Sequence, residues 1–402
     1  MSKPFREGIP RGMDGDFRKG CIMGSRVFFI DLRVSNQSLL DRIRELVEAA
    51  GIAETTKKRG LSAIKLHFGE RGNTAFIRPL LIRPIVDAVR AAGGKPFLTD
   101  ASTLYVGTRG NAVDHLETAL LNGFGYTAAG APLVMADGLD GRDEVAVPIG
   151  LKNCEVAYVA SAVARADGLV SVAHFKLHEA AGFGGAIKNV GMGSASRKGK
   201  MAQHSEVAPE VVAEKCIGCG VCRDQCAHDA IGLVERPPSA PRPHEKAVQL
   251  AEIDQGKCVG CAGCIHACPQ GALGINWERD LPRFMERMVE YTVGTLKGKE
   301  ERSLFVNFLT QISPACDCYP YSDAPIVPDI GILASRDPVA IDQASVDLLN
   351  AQPALQSSCI GNHPEAARDK VRAVYQKIDW QHQLRYGEAL GLGSRAYELV
   401  KV

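Results

Sequence analysis

The sequence predicts an α/β protein whose mostly parallel sheet is flanked by helices and is interrupted by a small cysteine-rich α+β module. Two observations predict this organisation. Short apolar runs alternate with segments of helical periodicity along most of the chain, which is typical of parallel sheets covered by helices. Residues 206–276 depart from that pattern, since eight of the 13 cysteines fall there with regular spacing.

Strands and helices alternate through the first half of the chain. Each predicted strand is a short apolar run, and each predicted helix has apolar residues three or four positions apart. The predicted strands are residues 27–32, 63–68, 96–100, 132–136, 156–159 and 168–173. The predicted helices are residues 38–50, 77–92, 112–122 and 161–166.

The alternation resumes after the cysteine-rich module. Asp337 is placed to cap a helix that has Pro338 at its first position, where a missing N–H costs nothing. The predicted elements of this part are a helix at 280–296, strands at 304–308 and 330–333, a helix at 338–349 and a helical tail from residue 364.

The simplest domain organisation is one α/β domain in two parts with an insertion. Residues 24–205 and 277–402 would form the α/β domain, and residues 206–276 the inserted module. Residues 1–23 contain charges of both signs and no apolar stretch, so they are predicted to be a flexible extension rather than a signal peptide. A proline-rich stretch at 236–243 is predicted to be a rigid loop within the module.

The composition favours some classes of protein and excludes others. A hydrophobic content of 46% and a charged content of 23% are ordinary for a globular protein. The formal net charge of +1 favours no nucleic-acid partner. No apolar run approaches the roughly 18–20 residues of a membrane span. With no export signal, the protein is expected to be cytoplasmic and its cysteines to be free of disulfides.

The cysteine-rich module contains the C-x2-C-x2-C-x3-C spacing twice, the second time followed by Pro269. This spacing binds [4Fe–4S] clusters in bacterial two-cluster ferredoxins, which the module resembles. In such proteins the fourth cysteine of each run serves the other cluster. Cluster one is therefore assigned to Cys216, Cys219, Cys222 and Cys268, and cluster two to Cys258, Cys261, Cys264 and Cys226.

A pair of zinc knuckles is the alternative interpretation of these eight cysteines. The full duplication and the terminal proline favour clusters. One departure is that Ala227 stands where the second run has Pro269, which leaves the turn after Cys226 less constrained but removes no ligand. The resemblance implies one-electron transfer at low potential. The predicted fold class is thus α/β with an inserted ferredoxin-like α+β two-cluster module.

The α/β part resembles a second family. The segments that carry this resemblance are IKLHFGERGNTAFIRP (64–79), LTDASTLYVGTRGNAVDHLETA (98–119), GFGYTAAGAPLVMADGL (123–139), HFKLHEAAGFGGAIKNVGMGSASRKGK (174–200) and PACDCYPYSDAPIVPDIGILASRDPVAIDQASVDLLN (314–350). They are similar to the uncharacterised iron–sulfur-centre proteins of domain-of-unknown-function family 362 that carry an inserted ferredoxin module. The resemblance implies this architecture and no particular reaction.

Polar side chains follow several of the predicted strands. Ligands of open α/β sheets bind beyond the carboxyl ends of the strands, so these side chains predict a polar cleft. Each histidine taken alone is more often structural than catalytic, but the group as a whole favours a cleft. The candidate catalytic residues of the cleft are His67, Asp100, His174, Lys176, His178 and Lys188.

Two further features contribute candidate residues. Gly182, Gly184 and Gly185 precede a predicted helix and are candidates for binding an anion or cofactor through backbone N–H groups. The alternative is that these glycines let the helix pack closely on the sheet. Cys316 and Cys318 form a C-x-C pair in a loop between prolines. This pair is interpreted as a third metal site or a redox-active thiol pair, with ordinary reduced thiols as the alternative.

These features favour an iron–sulfur oxidoreductase, in which two [4Fe–4S] clusters transfer electrons to a substrate or small-molecule cofactor in the cleft. The alternative is a ferredoxin-like electron carrier or docking subunit with no chemistry of its own. A third interpretation gives the clusters a structural or regulatory role. Either of the first two functions calls for a redox partner protein, and the sequence specifies neither the substrate nor the oligomeric state.

Overall fold

The computed structural model describes residues 25–33, 35–105, 107–204, 209–226, 228–245, 247–258, 263–274 and 281–402. The predicted extension at residues 1–23 lies outside the described residues, as do Ala227 and Cys261. No helix in the described ranges is long and apolar enough to cross a membrane.

The strands and helices follow in chain order. The strands are β1 (Ser25–Asp31), β2 (Leu61–Lys65), β3 (Lys95–Asp100), β4 (Leu133–Met135), β5 (Glu144–Pro148), β6 (Val156–Ala160), β7 (Gly168–His174), β8 (Lys176–His178), β9 (Gly182–Gly184), β10 (Glu210–Val211), β11 (Ile231–Glu235), β12 (Gln249–Ile253), β13 (Leu273–Gly274), β14 (Ser303–Leu309), β15 (Gly331–Ser335) and β16 (Tyr397–Lys401). The α-helices are α1 (Leu39–Ala49), α2 (Ile52–Thr55), α3 (Arg83–Ala91), α4 (Ala112–Leu121), α5 (Tyr126–Ala129), α6 (Ser161–Arg165), α7 (Ala186–Gly191), α8 (Arg197–His204), α9 (Val221–Asp224), α10 (Gly263–Ala267), α11 (Leu281–Leu296), α12 (Pro338–Ala351), α13 (Lys370–Val374) and α14 (Gln381–Ala389).

Eight of these strands form one central sheet in the order β16-β1-β15-β14-β7-β2-β3-β4. β15 runs antiparallel to both of its neighbours, β1 and β14, and the other adjacent pairs in this sheet are parallel. Near the middle of the sheet, Val172 of β7 lies opposite Val306 of β14, and Val170 of β7 lies opposite Ile64 of β2. The predicted α/β class with a mostly parallel sheet is confirmed.

Helices cover both faces of this sheet because its central strands are apolar on both sides. Val170 and Val172 of β7 face the hydrophobic core shared with α1 and α3, whereas Leu169 faces the core shared with α7, α11 and α12. All residues of β7 and of β14 are buried. Each fully buried Val or Leu contributes about 1.5–3 kcal/mol, so these two strands hold the loops that follow them in fixed positions.

Three predicted elements differ in the structure. The predicted helix at 77–92 begins instead as a 3-10 turn, Pro79–Ile82, because Pro84 lacks the N–H that a continuous α-helix would need there. The strand at 156–159 is present as β6 but pairs with β5 in a separate two-stranded sheet. The helical tail is wrong at its end, where β16 pairs in parallel with β1 and packs Tyr397 and Leu399 on the core.

Short strands and helices make up the cysteine segment, residues 209–274. β11 and β12 form a hairpin around the proline-rich loop at 236–243, and the two strands of this hairpin were not predicted. Its core is a small apolar cluster to which Leu104 and Met201, from outside the segment, also belong. The cluster members within the segment are Cys216, Cys222, Ile231, Ala251, Ile265, Ala272 and Leu273.

The cysteine segment begins and ends at one place on the α/β part. Glu210 of β10 pairs antiparallel with Gly274 of β13. Just outside this pair, the ring of His204 at the end of α8 stacks on Phe284 of α11, with the ring centroids 4.6 Å apart. The domain boundaries predicted from the sequence, 24–205, 206–276 and 277–402, stay a prediction.

Candidate functional site

Four parallel strands of the central sheet end along one edge. These strands are β14, β7, β2 and β3, and their carboxyl ends point the same way because each adjacent pair is parallel. From β2 the chain continues to β3 and β4 on one side, whereas β7 lies on the other side of β2. Such a change of direction opens a crevice at the carboxyl edge of a sheet. The loops that follow these four strands form what we call the cleft.

A Lys-Leu-His triplet occurs twice along the cleft. The first triplet, residues 65–67, lies at the end of β2, and the second, residues 176–178, forms β8 directly after β7. Because β2 and β7 are parallel neighbours, the two triplets lie at the ends of adjacent strands. This duplication is the sequence signal that could have identified Lys65, a site residue that the sequence prediction missed.

The lysine of each triplet forms a buried ion pair with an aspartate that follows a neighbouring strand. Lys65 Nζ lies 2.9 Å from Asp100 Oδ1, and Lys176 Nζ lies 3.1 Å from Asp317 Oδ2. None of these four side chains is more than 9% exposed. Asp317 was also missed from the sequence, since nothing local marks it as the partner of a lysine some 140 residues earlier in the chain.

The histidines of the two triplets are held in the same way. His67 Nδ1 accepts a hydrogen bond from Gly69 N at 3.0 Å, and His178 Nδ1 accepts one from Ala180 N at 3.1 Å. An accepting ring nitrogen has no proton, so each neutral ring has its proton on Nε2. Burial lowers the pKa of His67 well below its ordinary value, and the nearby Arg109 lowers it further. His67 is therefore a neutral Nε2–H donor at neutral pH.

Asp100, at the end of β3, anchors one side of the cleft. Arg109 Nη1 donates to Asp100 Oδ2 at 3.3 Å, and Arg109 Nε donates to Glu70 Oε2 at 3.1 Å. Arg109 also donates to the hydroxyl of Tyr105. Burial alone would raise the pKa of Asp100, but Lys65 and His115 together outweigh it and hold the pKa well below its usual value. Asp100 is therefore a fixed anion rather than a proton carrier.

His174 and Asp317 anchor the other side. His174 Nδ1 lies 2.9 Å from Asp317 Oδ1, and His174 Nε2 lies 2.8 Å from the carbonyl oxygen of Thr310. Both partners are acceptors, so this geometry is satisfied by a ring with a proton on each nitrogen. Burial would raise the pKa of Asp317, but His174 and Lys176 hold it well below its usual value. This side of the cleft is also a fixed array of charges.

Cys316 and Cys318 flank Asp317, next to the second triplet. Cys316 is only 2% exposed and Cys318 is half-buried. A hydrogen bond from Cys318 lowers the pKa of Cys316 well below its ordinary value, with help from Lys188 and His178 and against the effect of burial. The pKa of Cys318 is raised well above its ordinary value by the same hydrogen bond and by burial. Deprotonation is therefore favoured at Cys316 and disfavoured at Cys318.

The structure brings the predicted cleft residues into two adjoining groups. One group contains His174, Lys176, His178, Lys188, Cys316 and Cys318. The other contains His67 and Asp100. The groups adjoin each other, since the pKa of His67 responds to Asp100 on one side and to Asp317 on the other. The cleft is thus one continuous polar site.

The glycines before α7 have a different environment from the one that anion binding requires. Asp342 Oδ1 accepts from Ala186 N at 2.7 Å, and Asp342 Oδ2 accepts from Ile187 N at 3.0 Å. A Cβ at Gly185 would lie 2.2 Å from Asp342 Oδ1, so glycine is required for the carboxylate to approach. Burial raises the pKa of Asp342 to about 6. These amides already bind a carboxylate of the chain itself, and Gly182 and Gly184 lie in β9.

Four of the predicted cluster ligands line one pocket in the cysteine segment. They come from both cysteine runs, and apolar side chains from β10, β11 and β13 complete the wall. Burial raises the pKa of Cys222, and the neighbouring cysteines of the pocket raise it further. Four thiols around an apolar pocket are the donor set of a cubane cluster, so the residues fit that group. The four cysteines are Cys216, Cys219, Cys222 and Cys268.

The second predicted set is only partly described. Cys226, Cys258 and Cys264 are half-buried, and the fourth member, Cys261, lies outside the described residues. The sulfur of Cys226 accepts a hydrogen bond from Ala230 N at 3.4 Å, and the sulfur of Cys268 accepts one from Ala272 N at 3.2 Å. The fourth cysteines of the two runs therefore have equivalent surroundings, which agrees with a duplicated motif. The ligand assignments themselves stay a prediction.

Arg236 holds the loops around the four-cysteine pocket together. Its side chain is 3% exposed and its guanidinium donates to backbone carbonyl oxygens from three parts of the cysteine segment. One of these bonds, to Cys216 O, fixes the first ligand of the pocket. The acceptors are the carbonyl oxygens of Ala213, Cys216, Pro241, Ala247 and Gln249.

The fold and the cleft define an α/β protein with a buried, ion-paired site at the carboxyl edge of its sheet. Within the described ranges, no three His, Cys, Asp or Glu side chains are arranged to hold a single metal ion. The sequence model of the family described as Domain of unknown function (DUF362) matches residues 63–347. The chain belongs to this family, as the sequence resemblance predicted.

Two other comparisons complete this result. No curated protein matches the chain. Among solved structures, the lactate racemase apoprotein from Thermoanaerobacterium thermosaccharolyticum is similar at 16% sequence identity with a TM-score of 0.30. That match covers 62% of this chain and 49% of the other, so it spans about half the length of the racemase chain.

Proposed function

We propose that this protein transfers electrons through two [4Fe–4S] clusters, bound by the cysteine segment, to a substrate or small-molecule cofactor in the cleft. A redox partner protein supplies the electrons, and the setting is the cytoplasm. When bound, the clusters supply one-electron chemistry at low potential. The cleft residues bind and orient the acceptor and deliver protons to it.

The observation that carries this proposal is the four-cysteine pocket. Cys268 joins Cys216, Cys219 and Cys222 there, although it lies more than 40 residues further along the chain. This arrangement is what an exchange of fourth ligands, as in two-cluster ferredoxins, would produce, and it supports the proposal. A zinc knuckle would take its ligands from local pairs and needs no such exchange.

The packing of the cysteine segment against the cleft also supports the proposal. Leu104 belongs to the same apolar cluster as Cys216 and Cys222. It lies in the loop after β3, which also provides Tyr105 and Arg109 to the cleft. The wall of the pocket and one wall of the cleft therefore share a loop, which favours a short path for electrons.

The cleft residues suit an acceptor that gains negative charge. Lys65 is paired with Asp100 and Lys176 with Asp317, so positive groups are already in place when charge develops on the acceptor. Lys176 is the stronger fixed cation, because its pKa is raised, chiefly by Asp317 against the effect of burial, whereas burial lowers the pKa of Lys65. His67 presents Nε2–H as a hydrogen-bond donor to the acceptor.

The first experiment is anaerobic purification with iron and sulfide analysis. We expect about eight irons and eight sulfides per chain. Cys268→Ser should lower both to about four, because it removes a ligand of cluster one only. Cys359→Ser, a change at an exposed cysteine outside both runs, should leave them at about eight. Zinc without sulfide, or an iron content that Cys268→Ser leaves unchanged, would refute the proposal.

A second experiment distinguishes the oxidoreductase function from the electron-carrier function. Native mass spectrometry of the anaerobic protein should detect a small molecule bound in the cleft. His67→Gln should weaken its retention while the iron content stays the same. Two reducible clusters with no bound molecule, together with a stable complex with a partner protein, would instead establish the electron-carrier or docking function.

A further inference from the structure

We propose that Cys316 and Cys318 form a reversible disulfide that accepts the two electrons reaching the cleft. This inference rests on the proposed function for the source of the electrons. The chemistry of the pair can be tested separately from that source. The argument has four parts: the geometry of the turn, the surroundings of each sulfur, the balance of the reaction and the direction of attack.

The two cysteines lie in one rigid turn. Tyr319 N donates to Cys316 O at 3.1 Å, which closes a turn that contains both cysteines. Glu70 N donates to Asp317 O at 3.1 Å and ties the turn to the loop after β2. Consecutive Cα atoms lie about 3.8 Å apart, so a turn brings alternate Cα atoms within the roughly 4.4–6.8 Å that a disulfide spans.

Asp317 keeps the turn in place by its side chain. Its carboxylate binds His174 Nδ1 at 2.9 Å and Lys176 Nζ at 3.1 Å. Asp317 is fully buried, so these two side chains, and not solvent, are its partners. The two cysteines on either side of it are therefore held in one turn, close enough for Cys318 to lower the pKa of Cys316. The turn places the two residues for forming an S–S bond.

The surroundings of the two sulfurs differ. His178 and Lys188 lie close enough to Cys316 to stabilise a negative charge on it. Ala180 N donates to His178 Nδ1, so the nitrogen left to donate to the sulfur is Nε2. Burial by itself would favour the neutral thiol, yet the pKa of Cys316 is lowered, chiefly by the Cys318 hydrogen bond. This is the environment of a reactive cysteine.

The reaction balances with the donors that the proposed function names. Reduction breaks one S–S bond and takes two electrons and one proton. The iron–sulfur clusters are the reductant and supply one electron each. The products are the Cys316 thiolate, stabilised by His178 and Lys188, and the Cys318 thiol, whose raised pKa retains the proton. In the reverse direction, the dithiol transfers two electrons and one proton to a disulfide or other two-electron acceptor.

The difference in exposure gives the direction of attack. Cys318 is half-buried, whereas Cys316 is 2% exposed. A thiolate that attacks the disulfide therefore bonds to the sulfur of Cys318, and Cys316 is the leaving group. A thiolate with a low pKa is the better leaving group. The acceptor class that fits is a disulfide, because the two electrons of the dithiol reduce one S–S bond to two thiols.

The experiment uses the full chain, purified anaerobically with its iron content measured. Samples are equilibrated in buffers of reduced and oxidised dithiothreitol at graded ratios. Free thiols are then trapped with iodoacetamide, and the peptide that contains Cys316 and Cys318 is analysed by mass spectrometry. We expect both cysteines to lose alkylation together, with the steepness of a two-electron couple. Cys154, which is buried in an unrelated place, should remain alkylated after unfolding at every ratio.

Two variants sharpen this test. Cys318→Ser should abolish the intramolecular couple and leave Cys316 able to form only a mixed disulfide with a small thiol. His178→Asn should leave the iron content unchanged and slow the alkylation of Cys316 near neutral pH by about tenfold, which corresponds to about one pKa unit in thiolate fraction. Alkylation of Cys359, which is exposed and far along the chain, should be unaffected.

The outcomes distinguish this inference from the function on which it rests. Two thiols that stay free at all ratios, or that oxidise independently, would overturn the inference even if the clusters are present and reducible. A reversible disulfide in a chain without iron would overturn the proposed function and the delivery of electrons to the pair. A disulfide that re-forms its two thiols when the clusters are reduced with dithionite, but not in iron-depleted protein, would support both.

Discussion

The α/β part and the cysteine segment are built on different principles. The central sheet has two large hydrophobic cores, one on each face, and its central strands are buried along their whole length. The cysteine segment has one small apolar cluster, strands of two to five residues and helices of four and five residues. The α/β part folds on apolar burial alone. The cysteine segment has too little apolar surface to fold in this way and depends on additional cross-links.

The two regions also handle buried charge differently. The cleft of the α/β part pairs each buried cation with a carboxylate, as in Lys65 with Asp100 and Lys176 with Asp317. In the cysteine segment, Arg236 is buried against backbone carbonyl oxygens. Ion pairs hold functional side chains in position on a stable framework, whereas Arg236 holds the framework itself. The fold therefore preorganises the cleft, whereas the pocket is expected to depend on its ligands for its shape.

The largest effect is expected from removing the clusters. Oxidation and chelation of the iron should abolish hydrogen-exchange protection throughout residues 209–274, because the thiolates that would remain repel one another and little apolar burial replaces the lost bonds. β7 and β14 should keep their protection, since their burial does not depend on the metal. Hydrogen exchange with mass spectrometry measures both regions in one sample. Equal loss of hydrogen-exchange protection in both regions would show that the two regions do not differ in their dependence on the metal.

A smaller effect is expected from Lys65→Met in the cleft. The change leaves Asp100 without its closest cation, so the free energy of unfolding of the α/β part should fall by about 3–5 kcal/mol. Lys57→Met is the matched control, because Lys57 pairs with Asp167 at the surface and is about half exposed; it should cost at most about 1 kcal/mol.

Denaturant unfolding measures the free energy of unfolding of Lys65→Met and of Lys57→Met. The double variant Lys65→Met with Asp100→Asn should recover part of the loss, since it removes the unpaired charge as well. Equal costs for Lys65→Met and Lys57→Met would show that the cleft is not the preorganised site described above.

The smallest effect is expected from Arg236→Met. The guanidinium makes several hydrogen bonds to carbonyl oxygens, but the clusters would still hold the loops together. We expect local opening of the cysteine segment to become easier by about 2–3 kcal/mol, measured by hydrogen exchange at the amides of β11 and β12. Arg242→Met, in the same loop but exposed, is the control and should change nothing measurable. A change in the α/β part would contradict the independence of the two regions.

Most of the fold could be predicted from the sequence because its elements have strong periodicity. β7 and β14 are mostly apolar runs. Asp337 caps α12 as its position before Pro338 predicted, accepting from Val339 N and Ala340 N. The terminal strand β16 was missed because it is short and half-polar, and only its pairing with β1 makes it a strand. Tertiary pairing of this kind leaves little local signal.

The site was predicted in part for a similar reason. Residues at the ends of strands or just after them, such as His67, Asp100 and His178, could be placed at the cleft by counting strands. Asp317 could not, because what marks it is the lysine that it meets from a different loop. The anion-binding interpretation of the glycines could not anticipate Asp342, which reaches α7 from a helix more than 150 residues later. Long-range partners are set by the fold and not by local sequence.

The place where the cysteine segment begins and ends has a consequence for the evolution of the chain. The strand pair β10–β13 closes the segment on itself, and the stacked rings of His204 and Phe284 close the α/β part beneath it. A segment whose two ends lie side by side can be inserted or deleted as a unit, a cassette, because the strands of the central sheet keep their order and connections. The same sheet and cleft can therefore exist in relatives with a different cassette or with none.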